Sequence, residues 1–224
     1  MTQHAPAGHA AVPAKPDETG LLSGLIADAS RPLMVSEWLI PDQDARRDIF
    51  PRYFRMYVER AFADGLVHTT PDHAGVALWL PGSGPGEPPG GYAEQLAEVT
   101  GPWVNRFQVF DAELDAYHPI GTEHHHLAIL AVAPRWQGQG IGTALLNAHH
   151  AALDQLGVPA YLEAAGERTR SLYLRHGYTD YGEPIVLPGG LPLSGGSPGQ
   201  PPLAAVMYPM RRDPYPAGNG QGDD

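Results

Sequence analysis

The chain has 224 residues and a formal charge of −11, with 14 Lys and Arg set against 25 Asp and Glu. A surface this acidic excludes nucleic-acid binding through bulk charge, because recognition of a phosphate backbone needs a basic face. With no Cys at all, disulfide scaffolds, thiolate metal centres and a cysteine acyl-enzyme are excluded as well.

The length suits one domain carrying extra loops. The 27 Gly and 24 Pro gather in residues 81–91, 188–202 and the C-terminal end, leaving an ordinary globular composition elsewhere. These bounds predict a disordered arm over residues 1–15 and a disordered tail over 213–224. Between them lies a single domain over 16–212, with flexible loops near 81–91 and 188–202. The longest apolar run, residues 127–134, falls far short of the about 20 residues that a membrane-spanning helix needs. The N-terminus carries neither a basic nor an apolar export segment. A cytoplasmic protein with no membrane partner is expected.

Leu21, Leu22, Leu25 and Ile26 recur at helical spacing and predict a first helix over residues 18–29, with Asp17 as its N-cap. A second helix is predicted over 42–63, broken or restarted at Pro51 and stopped by Gly65. Trp38 and the stripe of Tyr53, Phe54 and Tyr57 read as core, with one or two of them free to wall a pocket. Residues 66–70 and 75–80 read as the strands of a hairpin. Helical patterns follow over 92–98 and 103–114, then a strand over 123–132 and a helix over 140–156 that Gly157 ends. A strand over 160–164, a short helix over 168–176 and strands over 178–186 and 203–208 complete the chain. This order predicts a mixed α/β domain, one central sheet flanked by helices.

Residues 127–181 carry the chemistry. A strand ends at Val132, and Gly138, Gly140 and Gly142 then lead into a helix. Glycines let backbone N–H groups close on a ligand, and a helix N-terminus adds positive partial charge. Together they predict a cradle for an anion, most naturally a pyrophosphate. A P-loop would need a lysine here, and the chain's only lysine is Lys15. A dinucleotide-binding turn would set its first glycine directly on the strand and a third where Thr143 stands. Of that motif, Gly138-x-Gly140 between a strand and a helix and the acid about 20 residues on, Glu163, are in place.

Arg135-Trp136-Gln137-Gly138-Gln139-Gly140 fits the pattern [QR]-x-x-G-x-[GA]. It lies within a longer run, V-x-P-x-x-Q-G-x-G-I-G-x-x-L-L, from Val132 to Leu146. Downstream, Leu172-Tyr173-Leu174-Arg175-His176-Gly177-Tyr178 fits L-Y-x-x-x-G-[FY]. In these two motifs the chain resembles the GNAT N-acetyltransferase superfamily. Through Trp79 in GVALWL and the segment VPAYLEAAGERTRSLYLRHG (residues 158–177), it resembles the branch containing puromycin N-acetyltransferase. The resemblance spans residues 16–210 and is sharp over 124–182. It departs where the family often carries an Asn, since Gly166 and Thr169 stand at those positions.

The resemblance implies a GNAT-type single domain that uses acetyl-CoA as acyl donor. Leu130, Ala131 and Val132 would offer backbone groups to the pantetheine arm. Arg135, Gln137, Gly138, Gln139, Gly140, Ile141, Gly142 and Thr143 would surround the pyrophosphate. Thr169 and Tyr173 would lie near the reacting end, Tyr173 protonating the departing thiolate. His124, His126 and Glu163 are the candidates for general base, with His124 ranked first for its strand position.

On a strand only His124 and His126 of the histidine tract share a face. No acid accompanies them there, so no metal site is expected. His149 and His150 read as solvated helix surface. The implied activity is direct acetyl transfer to the amine of a small molecule, an antibiotic or another amine metabolite. The acidic surface suits a cationic acceptor. A non-catalytic acyl-CoA-binding regulatory module and a protein or peptide N-acetyltransferase are the alternatives. The sequence is compatible with a homodimer.

Overall fold

A computed structural model describes residues 9–84, 86, 89–188 and 205–215. Its strands are β1 (Val12–Pro13), β2 (Leu66–Thr69), β3 (Gly75–Gly82), β4 (His124–Val132), β5 (Ala160–Ala164), β6 (Thr179–Asp180), β7 (Ile185–Val186) and β8 (Val206–Arg212). They lie in the order β1-β2-β3-β4-β5-β8-β6, with β7 also on β8. Every pairing is antiparallel except that of β4 with β5.

The helices are α1 (Thr19–Ser30), α2 (Met34–Leu39), α3 (Gln43–Asp64), α4 (Tyr92–Thr100), α5 (Val104–Tyr117), α6 (Ile141–Leu156) and α7 (Glu167–Leu174). They cover both faces of the sheet, which is why β3 is apolar at successive positions rather than alternate ones. Its Val76 and Leu78 pack with Leu22 and Ile26 of α1 and Val58 of α3. Its Ala77 and Trp79 point the other way, into the core of Leu145, Leu146 and Leu153 from α6. A third cluster joins α2, α3, α4 and α5 to Ile185 and Met207, and so closes one end of the molecule.

The expected mixed α/β fold is present, and the departures have local causes. Val12 and Pro13, expected in a disordered arm, pair with Thr69 and His68 on the edge of β2. Asp17 lies within a 3₁₀ turn (Pro16–Glu18), so it does not cap α1. Helix α2 escapes the sequence because six residues are too short to display a period. Helix α3 runs unbroken through Pro51, at the cost of one i→i−4 hydrogen bond. Asp42 caps it by accepting from the Ala45 N–H at 2.7 Å.

The strand expected over 178–186 is interrupted where Gly182 takes a left-handed φ of 82°, leaving β6 and β7. The last strand runs further than residue 208, because Tyr208 to Arg212 pair along the whole of β5. Pro209 interrupts its periodicity without ending it. The loop expected near 81–91 starts later, since β3 continues to Gly82. Most of the 188–202 loop, residues 203–204 and the tail beyond 215 lie outside the described residues. Among the described residues, no helix is long and apolar enough to cross a membrane.

Candidate active site

The site begins where two parallel strands part. Strands β4 and β5 are in register only at His125↔Ala160 and His126↔Tyr161, although β4 continues to Val132. Beyond that point the backbone groups of β4 directed toward β5 face a gap, and a ligand can satisfy them. A cavity of about 480 Å³ opens there, lined by Leu127, Ala128, Ile129 and Leu130 of β4 and by Ala165, Thr169 and Tyr173.

His126 and Glu163 meet in this cavity, the His126 Nε2 lying 2.8 Å from the Glu163 Oε2. The Glu163 side chain is only 5% exposed. Burial pushes its carboxyl up, but the charge and hydrogen bond of His126, with His118 beyond, outweigh burial and hold it below the usual range. It is therefore a carboxylate at neutral pH. His118, just past the end of α5, brings its Nδ1 to 3.9 Å from the Glu163 Oε1. Burial, then neighbouring His126, lowers this imidazole to about 4.

His124 is placed differently from its sequence ranking. It is 2% exposed, its Nδ1 lies 2.8 Å from the Thr122 carbonyl, and its Nε2 lies 2.9 Å from the His118 Nε2. The residues after α5 fold over the start of β4, so His118 faces the cavity and His124 lies behind it. Of the three base candidates, His126 and Glu163 share the cavity and His124 does not.

Tyr173 lines the same cavity while only 7% exposed. Burial raises its phenol well above the usual value, so the hydroxyl keeps its proton. Its ring meets Tyr178 edge-on at 5.6 Å.

The glycine loop follows β4 and leads into α6. Gly138 and Gly140 have φ of 79° and 84°, a left-handed conformation that costs other residues about 1–2 kcal/mol. A Cβ on either would meet no protein atom within 4 Å, so the loop's outer side is open to a ligand. The first amides of α6, at Ile141, Gly142 and Thr143, begin a helix of 16 residues whose dipole favours an anion there. Gln137 donates to the Val132 carbonyl at 3.2 Å and Gln139 to the Arg135 carbonyl at 3.4 Å. These side chains therefore shape the loop. The Thr143 Oγ1 lies 3.1 Å from the His176 Nε2, tying α6 to the end of α7. Leu130 and Thr169 line the cavity, while Ala131 and Val132 pack into the cores on either side of the sheet.

The far end of the cavity combines rings and acids. Tyr53, Phe54 and Tyr57 of α3 line it together with Tyr92, Asp111 and Asp115. The Tyr92 hydroxyl donates to Asp111 at 2.8 Å, and burial raises the Asp111 carboxyl to about 6. Arg60 is the cation on this wall. Trp38 lies elsewhere, donating its indole N–H to the Pro188 carbonyl at 3.2 Å.

His118, Tyr92 and Asp111 were not singled out from the sequence. The available signal was the spacing of Phe107, Phe110, Asp111 and Leu114, which puts an acid on an apolar helix face. His149 and His150 also differ from expectation. They are 4% and 5% exposed, because the sheet covers that side of α6. His149 stacks on Trp79 at 4.2 Å.

Residues 107–180 match the family model for the acetyltransferase (GNAT) domain. Solved structures with the same fold include the histone acetyltransferase HPA2 and related acetyltransferase from Corynebacterium glutamicum. That structure is 21% identical, covers 93% of this chain and 98% of its own, and has a TM-score of 0.61. Arylalkylamine N-acetyltransferase 2 from Aedes aegypti is 14% identical over 91% and 97% of the two chains, with a TM-score of 0.58. The polyamine N-acetyltransferase of Drosophila melanogaster, which forms N-acetylagmatine, is 15% identical over 91% and 98%, with a TM-score of 0.53. Over residues 107–180 the chain is thus similar to a GNAT acetyltransferase domain, and its fold is shared almost end to end with solved N-acetyltransferase structures.

Proposed function

We propose that the protein transfers the acetyl group of acetyl-CoA directly to the primary amine of a small, cationic molecule. One observation carries this reading. A buried ionised carboxylate, a protonated phenol and an unpaired stretch of strand backbone all line a single cavity.

In this reading Glu163, kept ionised by His126, takes a proton from the bound ammonium, freeing the nitrogen lone pair. The amine attacks the thioester carbonyl carbon, and backbone N–H groups of β4 hold the developing oxyanion. As the C–N bond forms and the C–S bond breaks, Tyr173 passes its proton to the departing sulfur. The surplus proton on the product nitrogen and the one held by Glu163 leave to solvent, and Tyr173 is reprotonated from the same source.

Asp111, Asp115 and Glu163 supply negative charge for a cation, and the α3 rings supply apolar surface for its body. The insect neighbours, named for arylalkylamines and a polyamine, support an amine acceptor. The resemblance of residues 158–177 favours the puromycin N-acetyltransferase branch, and the use of acetyl-CoA favours a cytoplasmic location. Amino antibiotics therefore belong among the acceptors tried.

The test is thiol release from acetyl-CoA with a panel of diamines, arylalkylamines, amino antibiotics and short peptides. Saturable turnover with at least one small amine is expected. Binding of acetyl-CoA without turnover would mark a regulatory module and overturn the enzymatic reading. Turnover confined to peptides would overturn the acceptor class.

A further inference from the structure

The proton positions around Glu163 can be worked out from their partners. The Thr122 carbonyl, 2.8 Å from the His124 Nδ1, can only accept, so that nitrogen carries the hydrogen. The Nε2 of the neutral His124 ring is then a bare lone pair, and the His118 Nε2 at 2.9 Å must donate to it. This leaves the neutral His118 ring with a bare Nδ1. That lone pair faces the Glu163 Oε1 across 3.9 Å, and the Glu163 Oε1 is itself buried with no hydrogen-bond partner. Two acceptors therefore oppose each other, and the Tyr161 hydroxyl, which also acts on Glu163, has its hydrogen directed to the Tyr117 carbonyl at 3.3 Å. The chain ends on a carbonyl, which cannot pass a proton on, so Thr122 and His124 lock the His118 tautomer.

We propose that His118 Nδ1, His126 Nε2 and the Glu163 carboxylate form a binding site for a divalent transition-metal ion, with zinc the best match. The three ligand atoms lie within 4.8 Å of one another. A tetrahedral zinc with bonds of about 2.0–2.2 Å needs ligand atoms about 3.4 Å apart. The 3.9 Å and 2.8 Å separations beside Glu163 bracket that distance, so small side-chain rotations close the site. Two imidazoles and one carboxylate select zinc over calcium or magnesium. The His118 Nε2–H bonded to His124 is the outer support that metal-binding histidines use to fix their ring. The cavity gives entry and leaves the fourth position open. Asp115 lies close enough to Glu163 and His126 for their charges to act on it and adds to the field attracting a dication, against the opposing charge of Arg60. The sequence argued against a metal because His124 and His126 have no acid beside them. The acid comes from β5, and the second ligand from the end of α5 in place of His124.

Metal-free protein titrated with zinc by calorimetry, and with cobalt(II) followed by its visible absorption, tests the site. One equivalent should bind, and cobalt should give the intense spectrum of a four-coordinate N/O site. His118→Ala and Glu163→Gln should each weaken binding at least 10-fold. His125→Ala should leave it unchanged, since that ring lies on the opposite face, 3.0 Å from His149. No binding, or equal affinity in both ligand variants and the wild type, overturns the proposal. Bound zinc would also occupy the proposed base and suppress acetyl transfer. That arm alone rests on the proposed function: binding with full turnover would sustain the metal site and remove Glu163–His126 as the base.

Discussion

Lowering the pH should destabilise this protein well before its depressed carboxylates protonate. His149 and His150 are 4% and 5% exposed, and each is lowered to about 3. Burial is the main cause, followed by His125 and His68 around His149 and by Arg212 and His176 around His150. Unfolded, both would titrate near the ordinary value of about 6.5. The unfolded chain thus binds more protons below that value, and stability must fall as pH drops from about 6.5 toward 3. At pH 5 each ring costs about 2 kcal/mol relative to pH 8. Asp111 works the other way: its carboxyl, raised to about 6, protonates in the folded state first and returns about 1 kcal/mol by pH 5. Depressed carboxylates such as Glu163 lose their contribution only below about pH 4.5, outside this window. His118, lowered to about 4, adds about 2 kcal/mol, and the net loss of about 5 kcal/mol corresponds to a fall in Tm of roughly 10–20 °C for a chain of this size. Circular-dichroism melts at pH 8 and pH 5 measure it directly. His149→Phe, which keeps a ring on Trp79, should remove about two-fifths of the fall. A Tm unchanged to within about 2 °C between the two pH values would refute the reasoning.

Three further outcomes are expected. Gly140→Ala and Gly157→Ala place a Cβ at left-handed positions, φ 84° and 68°, at opposite ends of α6. Both should lower stability by about 1–2 kcal/mol, but only the Gly140 variant should lose acetyl-CoA affinity in calorimetry, by about tenfold or more; equal affinities would remove the cradle. Tyr173→Phe keeps the contact with Tyr178 and should lower kcat by about 10²-fold with little change in acetyl-CoA affinity; wild-type kcat with chemistry rate-limiting would reduce Tyr173 to a core residue. Glu163→Gln should lower kcat/KM by about 10²-fold or more and abolish the acidic limb of the pH–rate profile; a wild-type profile would exclude this carboxylate as base.

Much of the fold was legible because its signals are local. The stripe of Leu145, Leu146 and Leu153, the stop at Gly157 and the glycine loop each fall within one element. The site was only half legible for the same reason. Glu163 and Tyr173 could be singled out from motifs, but the contact of His126 with Glu163 depends on two strands separated by a helix. His118 follows an unremarkable helix end and gains meaning only where the chain folds back over β4. The exposure of His149 and His150 was misjudged because their polarity suggested solvent, although their i+4 spacing from Leu145 and Leu146 sets them on the same buried face of α6. Helix α2 escaped notice because six residues are too few to display a period.

The parting of β4 and β5 has a mechanical consequence as well as a chemical one. Strands β1 to β4 form one antiparallel plate, and β5, β8, β6 and β7 form another. Among the described residues, the ladder between them has two residue pairs. An extended molecule lying between the plates would bond to both, taking the place of the rungs the ladder lacks. Its arrival would stiffen the junction, and its departure would restore compliance there. The donor would then be a removable structural member, and slowed amide hydrogen exchange along residues 127–132 would register its presence.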